Sequence, residues 1–260
     1  MNPMRTLLVQ AQLGWKDPER NREHLEGLLG GVAEPFDLAV FPETFTTGFL
    51  GDSDEAAEDM SGDTVGWMKD LAAHHDSALA GSLVIVEDGR RFNRMIFVTP
   101  QGEVHYYDKR HLFAHGGENR RYTAGRKRVL LEYLGWRINL QVCYDLRFPA
   151  WCRNRDDYDL MLLVANWPTR RVRHWSSLLE ARAIENQSWV VGVNRVGRDG
   201  NDISYPGCSV AHDPLGECVA HLGAEENCVV VDLDLDRVKK IRSSLPFQAD
   251  ADRFEILDTD

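Results

Sequence analysis

Residues 138–149 read Ile138-Asn-Leu-Gln-Val-Cys143-Tyr-Asp-Leu-Arg-Phe-Pro149. From Trp136 to Val142, apolar and polar residues alternate, and this pattern predicts a half-buried β-strand that ends at Cys143. In an open α/β sheet, ligands bind at the carboxyl ends of the strands, so a thiol held there can attack a bound substrate. The alternative is that Cys143 fills the core, because free cysteine is among the most buried residue types.

Charged residues follow two other predicted strands. The run Asp37-Leu-Ala-Val-Phe-Pro42 ends just before Glu43, which is a candidate general base or, alternatively, a cap of the next element. A run rich in Tyr and Val, from Glu103 to Asp108, ends just before Lys109. Lys109 is a candidate catalytic cation or, alternatively, an exposed lysine like most others.

Glu43, Lys109 and Cys143 form a chemical set. A thiol with a pKa near its free value of ~8.5 needs a base to take its proton or a cation to favour the thiolate. A glutamate supplies the first and a lysine the second, and the ammonium also stabilises the oxyanion of a tetrahedral intermediate. The three residues are far apart in sequence, so they can meet only through strands of the same fold.

Three motifs carry a resemblance to a known family. Pro42-Glu43, Asp108-Lys109-Arg-His-Leu-Phe113 and Cys143-Tyr-Asp-Leu-Arg-Phe148 have the order and approximate spacing of the Glu, Lys and Cys motifs of the nitrilase superfamily of carbon–nitrogen hydrolases. The sequence is most similar to the omega-amidase branch, which includes bacterial 2-oxoglutaramate amidases. The resemblance covers nearly the whole chain and continues through three further segments: Val164-Ala-Asn-Trp-Pro168, Ala181-Arg-Ala-Ile-Glu-Asn186 and Gly192-Val-Asn-Arg-Val-Gly197.

The resemblance implies a role for each motif residue. Glu43 matches the general base, Lys109 the lysine that holds the oxyanion, and Cys143 the nucleophile. Glu118 matches a second glutamate that supports the lysine, although it is alternatively a solvated loop acid. We assign Tyr144 to substrate binding, because the backbone N–H after Cys143 shares the oxyanion with Lys109 in this scheme. No metal and no cofactor is implied.

The sequence departs from the family pattern after the nucleophile motif. Many members carry an acidic residue directly after Arg-Phe-Pro, whereas this chain has Ala150 and then Trp151. This chain therefore lacks whatever contact that acid makes in other members with a substrate or with the start of a helix. The departure does not concern Glu43, Lys109 or Cys143.

Composition limits the class of protein. With 260 residues, the chain is long enough for one large α/β domain over residues 1–260, and we find no linker or repeat. The formal net charge of −11 argues against nucleic acid and anionic membranes, which need a basic surface. No apolar run reaches the ~20 residues of a membrane span. Five cysteines without metal or disulfide spacing fit reduced thiols in the cytoplasm.

A basic cluster follows one of the predicted strands. Arg170, Arg171 and Arg173 come directly after Asn166-Trp-Pro-Thr169. An arginine can bind a carboxylate through two parallel hydrogen bonds, so Arg170 and Arg171 are candidates for holding an acidic substrate. Arg173 is expected at the start of the next helix. The alternative is a solvated basic turn.

Alternating and helical patterns follow one another along the chain. Helices are predicted over Pro18–Leu29, with Asp17 as the cap, over Ser61–His75, and over His174–Gln187, where Trp175, Leu178, Leu179 and Ile184 form an apolar face. Residues 160–193 read as a strand, a helix and a strand, whereas Glu87-Asp88-Gly89 and Pro100-Gln101-Gly102 indicate hairpins. Strands are predicted over Thr6–Gln12, Leu38–Phe41, Ser77–Val86, Arg94–Val98, Glu103–Asp108, Arg137–Cys143, Leu160–Ala165, Trp189–Val193, Cys208–Ala211 and Cys228–Asp232.

These patterns predict a mixed α/β sheet and leave two-layer and three-layer arrangements open. The family resemblance implies a four-layer αββα sandwich, in which two mixed sheets pack face to face. It also implies a homodimer or a higher homo-oligomer.

The expected function is a cofactor-free amidase that releases ammonia from a small keto- or dicarboxylic acid amide. An N-carbamoyl or nitrile hydrolase on the same scaffold stays open, because the three residues do not specify the leaving group. Two weaker alternatives are a non-catalytic small-molecule binding protein and a redox sensor that pairs Cys143 with Cys152.

Overall fold

The computed structural model describes residues 3–50 and 56–257. Its helices are α1 (Pro18–Gly30), α2 (Asp63–His75), α3 (Pro149–Cys152), α4 (Val172–Asn186) and α5 (Leu235–Ser244). Its strands are β1 (Met4–Gln10), β2 (Leu38–Val40), β3 (Ala78–Glu87), β4 (Arg90–Val98), β5 (Val104–Asp108), β6 (Leu130–Tyr133), β7 (Trp136–Val142), β8 (Leu160–Ala165), β9 (Trp189–Asn194), β10 (Val196–Arg198), β11 (Ser204–Pro206), β12 (Val210–His212), β13 (Cys218–His221) and β14 (Asn227–Leu233).

The strands form two six-stranded mixed sheets and one small hairpin. The first sheet has the order β14-β1-β2-β3-β4-β5, and the second has the order β13-β12-β9-β8-β7-β6. In each sheet the central strands are parallel: β1, β2 and β3 in the first, and β7, β8 and β9 in the second. The flanking strands are antiparallel. The small hairpin pairs β10 with β11.

Three apolar clusters stack these elements into four layers. One cluster lies between the sheets and joins Leu8 and Val40 of the first sheet to Leu140 and Leu162 of the second. A second cluster packs α1 and α2 on the outer face of the first sheet, and a third packs α4 on the outer face of the second. The predicted αββα sandwich is therefore confirmed.

The predicted hairpins and the strand–helix–strand unit are present. β3 and β4 are antiparallel neighbours, and both Asp88 (φ +51°) and Gly89 (φ +71°) lie in the left-handed region that a two-residue hairpin turn requires. β8 and β9 are parallel and are connected through α4. The predicted cap of α1 is also confirmed, because the Asp17 side chain accepts a hydrogen bond from the Arg20 N–H.

The alternating strand β7 differs from its prediction. Its polar residues Asn139 and Gln141 are as fully buried as its apolar ones, because one face packs between the sheets and the other lies under the helix layer. One hydrogen bond joins the two buried side chains, in which Gln141 Nε2 donates to Asn139 Oδ1 at 2.9 Å. The prediction of a half-buried strand was therefore wrong.

Other differences concern edges and surfaces. Ile184 was assigned to the apolar face of α4, but 44 % of it is exposed. The predicted strand over Cys208–Ala211 begins two residues later, as β12. The short strands β6, β10, β11 and β13 were not predicted. The edge strands β6 and β13 have only four residues each, which is too short for a clear apolar alternation. Among residues 3–50 and 56–257, no helix has the length and apolar character needed to span a membrane.

Candidate active site

The turn after β7 holds Cys143 in a strained conformation. Its φ is +46°, in the left-handed region that costs a non-glycine residue ~1–2 kcal/mol. A 3-10 helix, Cys143–Arg147, begins at once, so the chain reverses sharply at the carboxyl end of the strand. Backbone strain of this kind is typical of sites where a side chain must be presented to a ligand.

Asp145 stabilises this turn from within. Its side chain is fully buried, and Oδ2 accepts hydrogen bonds from the Val142 N–H at 3.1 Å and the Tyr107 hydroxyl at 2.8 Å. Oδ1 accepts from the His111 N–H at 2.9 Å. These contacts connect the turn that carries Cys143 to β7, to β5 and to the segment after β5.

Glu43 lies buried beyond the end of β2, with 1 % of its surface exposed. Its Oε1 accepts hydrogen bonds from Lys109 Nζ at 2.9 Å and Asn93 Nδ2 at 2.7 Å. Its Oε2 accepts from the backbone N–H of Asn166 at 2.7 Å. The carboxylate is therefore held by side chains and backbone of three other segments, and not by the start of a helix.

Lys109 directly follows β5 and is also buried. Its ammonium donates to both oxygens of Glu118, at 3.1 and 3.0 Å, in addition to Glu43. Glu118 begins a 3-10 helix, Glu118–Arg120, and its Oε2 also accepts from the Phe113 N–H at 2.7 Å. With 1 % exposure, Glu118 is not a solvated loop acid.

The electrostatics of the site follow from its burial and its excess of carboxylates. Burial disfavours the Lys109 ammonium, but the charges of Glu118 and Glu43 outweigh this effect and hold the pKa of Lys109 well above its usual range. Burial, followed by the charge of Glu43, raises the pKa of the Cys143 thiol well above its usual range, although Lys109 acts in the opposite direction. The resting thiol is therefore protonated.

A cavity of about 310 Å³ opens onto this cluster, and its lining includes Glu43, Lys109 and Cys143. Glu118 is not part of the lining, so it contacts Lys109 from behind. The predicted substrate-binding residues Tyr144, Arg170 and Arg171 all line the same cavity. The structure thus brings together all of the residues that the sequence analysis selected.

A third arginine, Arg147, also lines the cavity and stacks over the ring of Trp167 at 4.7 Å. Within residues 3–50 and 56–257, no carboxylate forms a salt bridge with Arg147, Arg170 or Arg171. Burial lowers the pKa of Arg171 below its usual value, and so do the charges of Arg170 and Arg147. Arg173 is an exposed residue of α4 and does not line the cavity. The cavity therefore concentrates positive charge that the described chain leaves uncompensated.

Several residues of the site were not predicted from the sequence. Asn93 lies opposite Lys109 on β4, and its Nδ2 bridges Glu43 to Glu118, at 2.7 and 3.2 Å. The sequence offered little signal for it, because Asn93 stands among the polar residues Arg90, Arg91 and Arg94 in the first half of β4. Asp145 and Arg147 belong to the quoted nucleophile motif, but nothing in their spacing showed that one lies beneath the turn and the other faces the cavity.

The departure at Ala150 does not affect the cavity. Ala150 is exposed on the short helix α3 and is absent from the lining. Its neighbour Trp151 is buried, and the indole N–H donates to the Tyr107 hydroxyl at 2.9 Å. Among the residues that the structure describes, no group of three or more His, Cys, Asp or Glu side chains is arranged to hold a metal ion.

Comparison with known proteins identifies the family. The carbon–nitrogen hydrolase family model matches residues 6–243. The chain is 42 % identical to omega-amidase YafV of Escherichia coli K12, over 98 % of this chain and 100 % of that protein. It is 32 % identical to 2-oxoglutaramate amidase of Bacillus subtilis 168, over 92 % and 93 %.

A solved structure extends the similarity to the fold. It belongs to a CN-hydrolase superfamily protein of Xanthomonas campestris with an arsenic adduct in its active site, and it superposes with a TM-score of 0.96 at 45 % identity, covering 98 % of this chain and 100 % of that one. The matched family, the relatives and the shared fold agree with one another. The chain therefore belongs to the carbon–nitrogen hydrolases of the nitrilase superfamily, as an enzyme that acts on amides.

Proposed function

We propose that this protein is a thiol-dependent amidase that hydrolyses the terminal carboxamide of a small keto- or dicarboxylic acid similar to 2-oxoglutaramate. The observation that carries the proposal is the cluster of Arg147, Arg170 and Arg171 in the same cavity as Cys143. The chain as a whole has a net charge of −11 and repels anions. The local positive charge of the cavity can nevertheless attract an anionic substrate. The names of the E. coli and B. subtilis relatives support the same substrate class.

Acylation begins with a neutral thiol. Glu43 takes the proton from the Cys143 thiol as the sulfur attacks the amide carbon, so a free thiolate never has to exist in the buried site. Lys109 and the backbone N–H of Tyr144 hold the oxyanion that forms. Glu43 then gives the proton to the amide nitrogen, the C–N bond breaks, and ammonia leaves behind a thioester.

Deacylation uses the same groups in reverse. Glu43 takes a proton from a water molecule, which attacks the thioester carbon, and Lys109 again holds the oxyanion. When the C–S bond breaks, the proton returns to the Cys143 sulfur and the acid product leaves. Glu118 keeps the Lys109 ammonium in place through both half-reactions and does not itself exchange a proton.

The size of the cavity supports a small substrate. A volume of about 310 Å³ is near the lower end of the ~300–1,000 Å³ that is usual for ligand pockets. Phe113 and Trp167 contribute apolar surface to the lining, which suits the short carbon chain between a carboxylate and a carboxamide. Arginine can bind the carboxylate at one end while Cys143 attacks the other.

The test is ammonia release from a panel of substrates. The panel contains 2-oxoglutaramate, 2-oxosuccinamate, succinamate, glutamine, an N-carbamoyl amino acid and a nitrile, with the Cys143→Ala variant as the blank. We expect the highest kcat/KM for a keto- or dicarboxylic acid monoamide. A highest kcat/KM for the N-carbamoyl compound or the nitrile would replace the proposed substrate class, and no turnover with any compound would favour a binding protein.

A further inference from the structure

Asn166 contributes a buried oxygen that has no partner in the described part of the chain. Its side-chain Nδ2 donates to the backbone oxygen of Glu43 at 3.1 Å and to Thr44 Oγ1 at 2.8 Å. Its backbone N–H donates to Glu43 Oε2 at 2.7 Å. Oδ1, in contrast, is buried and makes no hydrogen bond. Asn166 as a whole is 7 % exposed and lines the cavity.

The orientation of this amide is determined by its neighbours. The backbone oxygen of Glu43 can only accept a hydrogen bond, so the nitrogen of the Asn166 amide must face it and the oxygen must lie on the other side. A buried acceptor without a donor is costly and requires an explanation. Asn93 also has an unpartnered oxygen, Oδ1, but Asn93 does not line the cavity, so a ligand in the cavity explains only the oxygen of Asn166.

We propose that Asn166 Oδ1 accepts a hydrogen bond from the N–H₂ group of the scissile carboxamide. The inference rests on the proposed amidase function and adds a residue that recognises the leaving group. The amide nitrogen must lie within reach of the Glu43 carboxyl, which protonates it as the C–N bond breaks. Asn166 holds that carboxyl through its backbone N–H and lines the same cavity, so the proposal places its Oδ1 beside the nitrogen of the bound substrate.

The hydrogen bond has a chemical consequence. In the tetrahedral intermediate the nitrogen carries two hydrogens and one lone pair. When one N–H donates to Asn166 Oδ1, the lone pair can point towards the proton on Glu43, while Lys109 holds the oxyanion. The nitrogen takes that proton, the C–N bond breaks with its electron pair on nitrogen, and ammonia leaves. An ester of the same acid has no N–H to donate, so Asn166 favours the amide.

The experiment compares an amide with an ester of the same acid. The kcat/KM values for 2-oxoglutaramate and for the matching methyl ester report two acylation reactions that form the same thioester. A mutation that affects both acylation reactions equally leaves the ratio of the two kcat/KM values unchanged. In Asn166→Ala, we expect the amide-to-ester ratio to fall by about 5-fold to 150-fold, which corresponds to ~1–3 kcal/mol for an unpaired buried polar group. Asn166→Asp retains an acceptor oxygen, so it keeps the ratio even where both rates fall.

Thr44→Val is the matched control, because it removes one partner of Asn166 Nδ2 but leaves Oδ1 in place. We expect this variant to keep the wild-type ratio. An equal fall for amide and ester in Asn166→Ala would show that the side chain only positions Glu43, and an unchanged amide rate would show that Oδ1 meets no substrate. If Asn166→Ala does not fold, a fall in the ratio for Asn166→Asp overturns the proposal and a retained ratio supports it.

The role of Asn166 can be tested even if the proposed substrate is wrong. If wild-type protein prefers another primary amide, the same amide-to-ester comparison is made with that amide. The ratio then tests Asn166 whatever acid the cavity binds.

Discussion

Lys109 Nζ lies 2.9 Å from Glu43 Oε1 across a separation of 66 residues. The same ammonium donates to both oxygens of Glu118, so one buried cation is hydrogen-bonded to two buried carboxylates. Lys109 lowers the pKa of the Cys143 thiol, but burial and the charge of Glu43 outweigh this effect and hold that pKa well above its usual range. A raised thiol pKa is consistent with the proposed transfer of the Cys143 proton to Glu43 during attack, and it argues against a preformed thiolate.

Cys143→Ala should abolish ammonia release while the protein stays folded. The substitution removes the atom that forms the thioester, and loss of a nucleophile costs several orders of magnitude in rate. The measurement is kcat with the preferred amide, together with the thermal midpoint Tm as a check of folding. Cys218→Ala is the matched control, because Cys218 is exposed and lies outside the cavity. More than about a tenth of wild-type activity in Cys143→Ala would exclude the assignment.

The buried thiol of Cys152 should make the protein less stable at alkaline pH. Burial raises its pKa to about 12, whereas an unfolded thiol ionises near ~8.5. The stabilisation from keeping this thiol neutral is present below pH ~8.5 and is lost progressively as pH rises towards the folded-state pKa, because only the unfolded state releases its proton.

The effect can be isolated by mutation. Between pH 7 and pH 10, the free energy of unfolding of the wild type should fall by ~2 kcal/mol more than that of Cys152→Ala. Urea denaturation at the two pH values measures this difference. In the control variant Cys218→Ala, the free energy of unfolding should fall between the two pH values by nearly as much as in the wild type. Parallel pH dependences for the wild type and Cys152→Ala would contradict the linkage.

Lys109→Arg should be nearly as inactive as Lys109→Ala. A guanidinium is planar and larger than an ammonium, so it cannot occupy the point between the Glu43 and Glu118 carboxylates while also facing the oxyanion. Loss of an oxyanion donor costs ~10²–10³ in kcat. Both variants should be assayed after circular dichroism has shown a native spectrum. Near-normal turnover of the arginine variant would mean that Lys109 contributes only a diffuse positive field.

Glu43→Gln should lower kcat more than Glu118→Gln. General base catalysis contributes ~10²–10⁴ to the rate, and a glutamine at position 43 cannot take the thiol proton. A glutamine at position 118 still offers one oxygen to Lys109 and disturbs only its placement. Steady-state kcat for the two isosteric variants gives the order directly. If the Glu118 variant proved the more damaged, the two roles would have to be exchanged.

Much of the site was predictable because chemistry and topology both constrain it. Glu43 and Cys143 follow the buried inner strands β2 and β7, and Lys109 follows the edge strand β5, which pairs with β4 in the first sheet. Each of these strands is visible in the sequence: β2 as an apolar run, β5 as a stretch rich in Tyr and Val, and β7 as an alternating pattern. Residues of the required type at strand ends were therefore sufficient to select the set, and the family resemblance added Glu118.

The supporting residues were not predictable in the same way. Asn93 acts through a lateral contact between β4 and β5, and its importance depends on the register that places it opposite Lys109. Asp145 acts from beneath a turn whose left-handed backbone has no glycine to indicate it. The burial of Asn139 and Gln141 depends on the helix layer above β7, which alternation within one strand cannot reveal.

Substitution of the cavity arginines should change the response of the enzyme to substrate charge. If Arg147, Arg170 or Arg171 binds the substrate carboxylate, its replacement by Ala should raise KM for an acidic amide by about 10-fold to 100-fold, as the loss of a charge-assisted hydrogen bond of ~1.5–3 kcal/mol requires. An uncharged amide of similar length lacks the carboxylate, so its kcat/KM should hardly change. The informative quantity is the ratio of kcat/KM for 2-oxoglutaramate to that for the neutral amide.

Arg173→Ala provides the matched control for this ratio. Arg173 belongs to the same basic segment and carries the same charge, but it is exposed on α4 and lies outside the cavity lining. We expect its removal to leave the ratio at the wild-type value, since a solvent-screened charge contributes little to a buried contact. A similar fall in all four variants would indicate only a diffuse electrostatic attraction, which should then weaken with added salt. If the three cavity variants all keep the wild-type ratio, the arginines form a solvated basic turn and other residues bind the carboxylate.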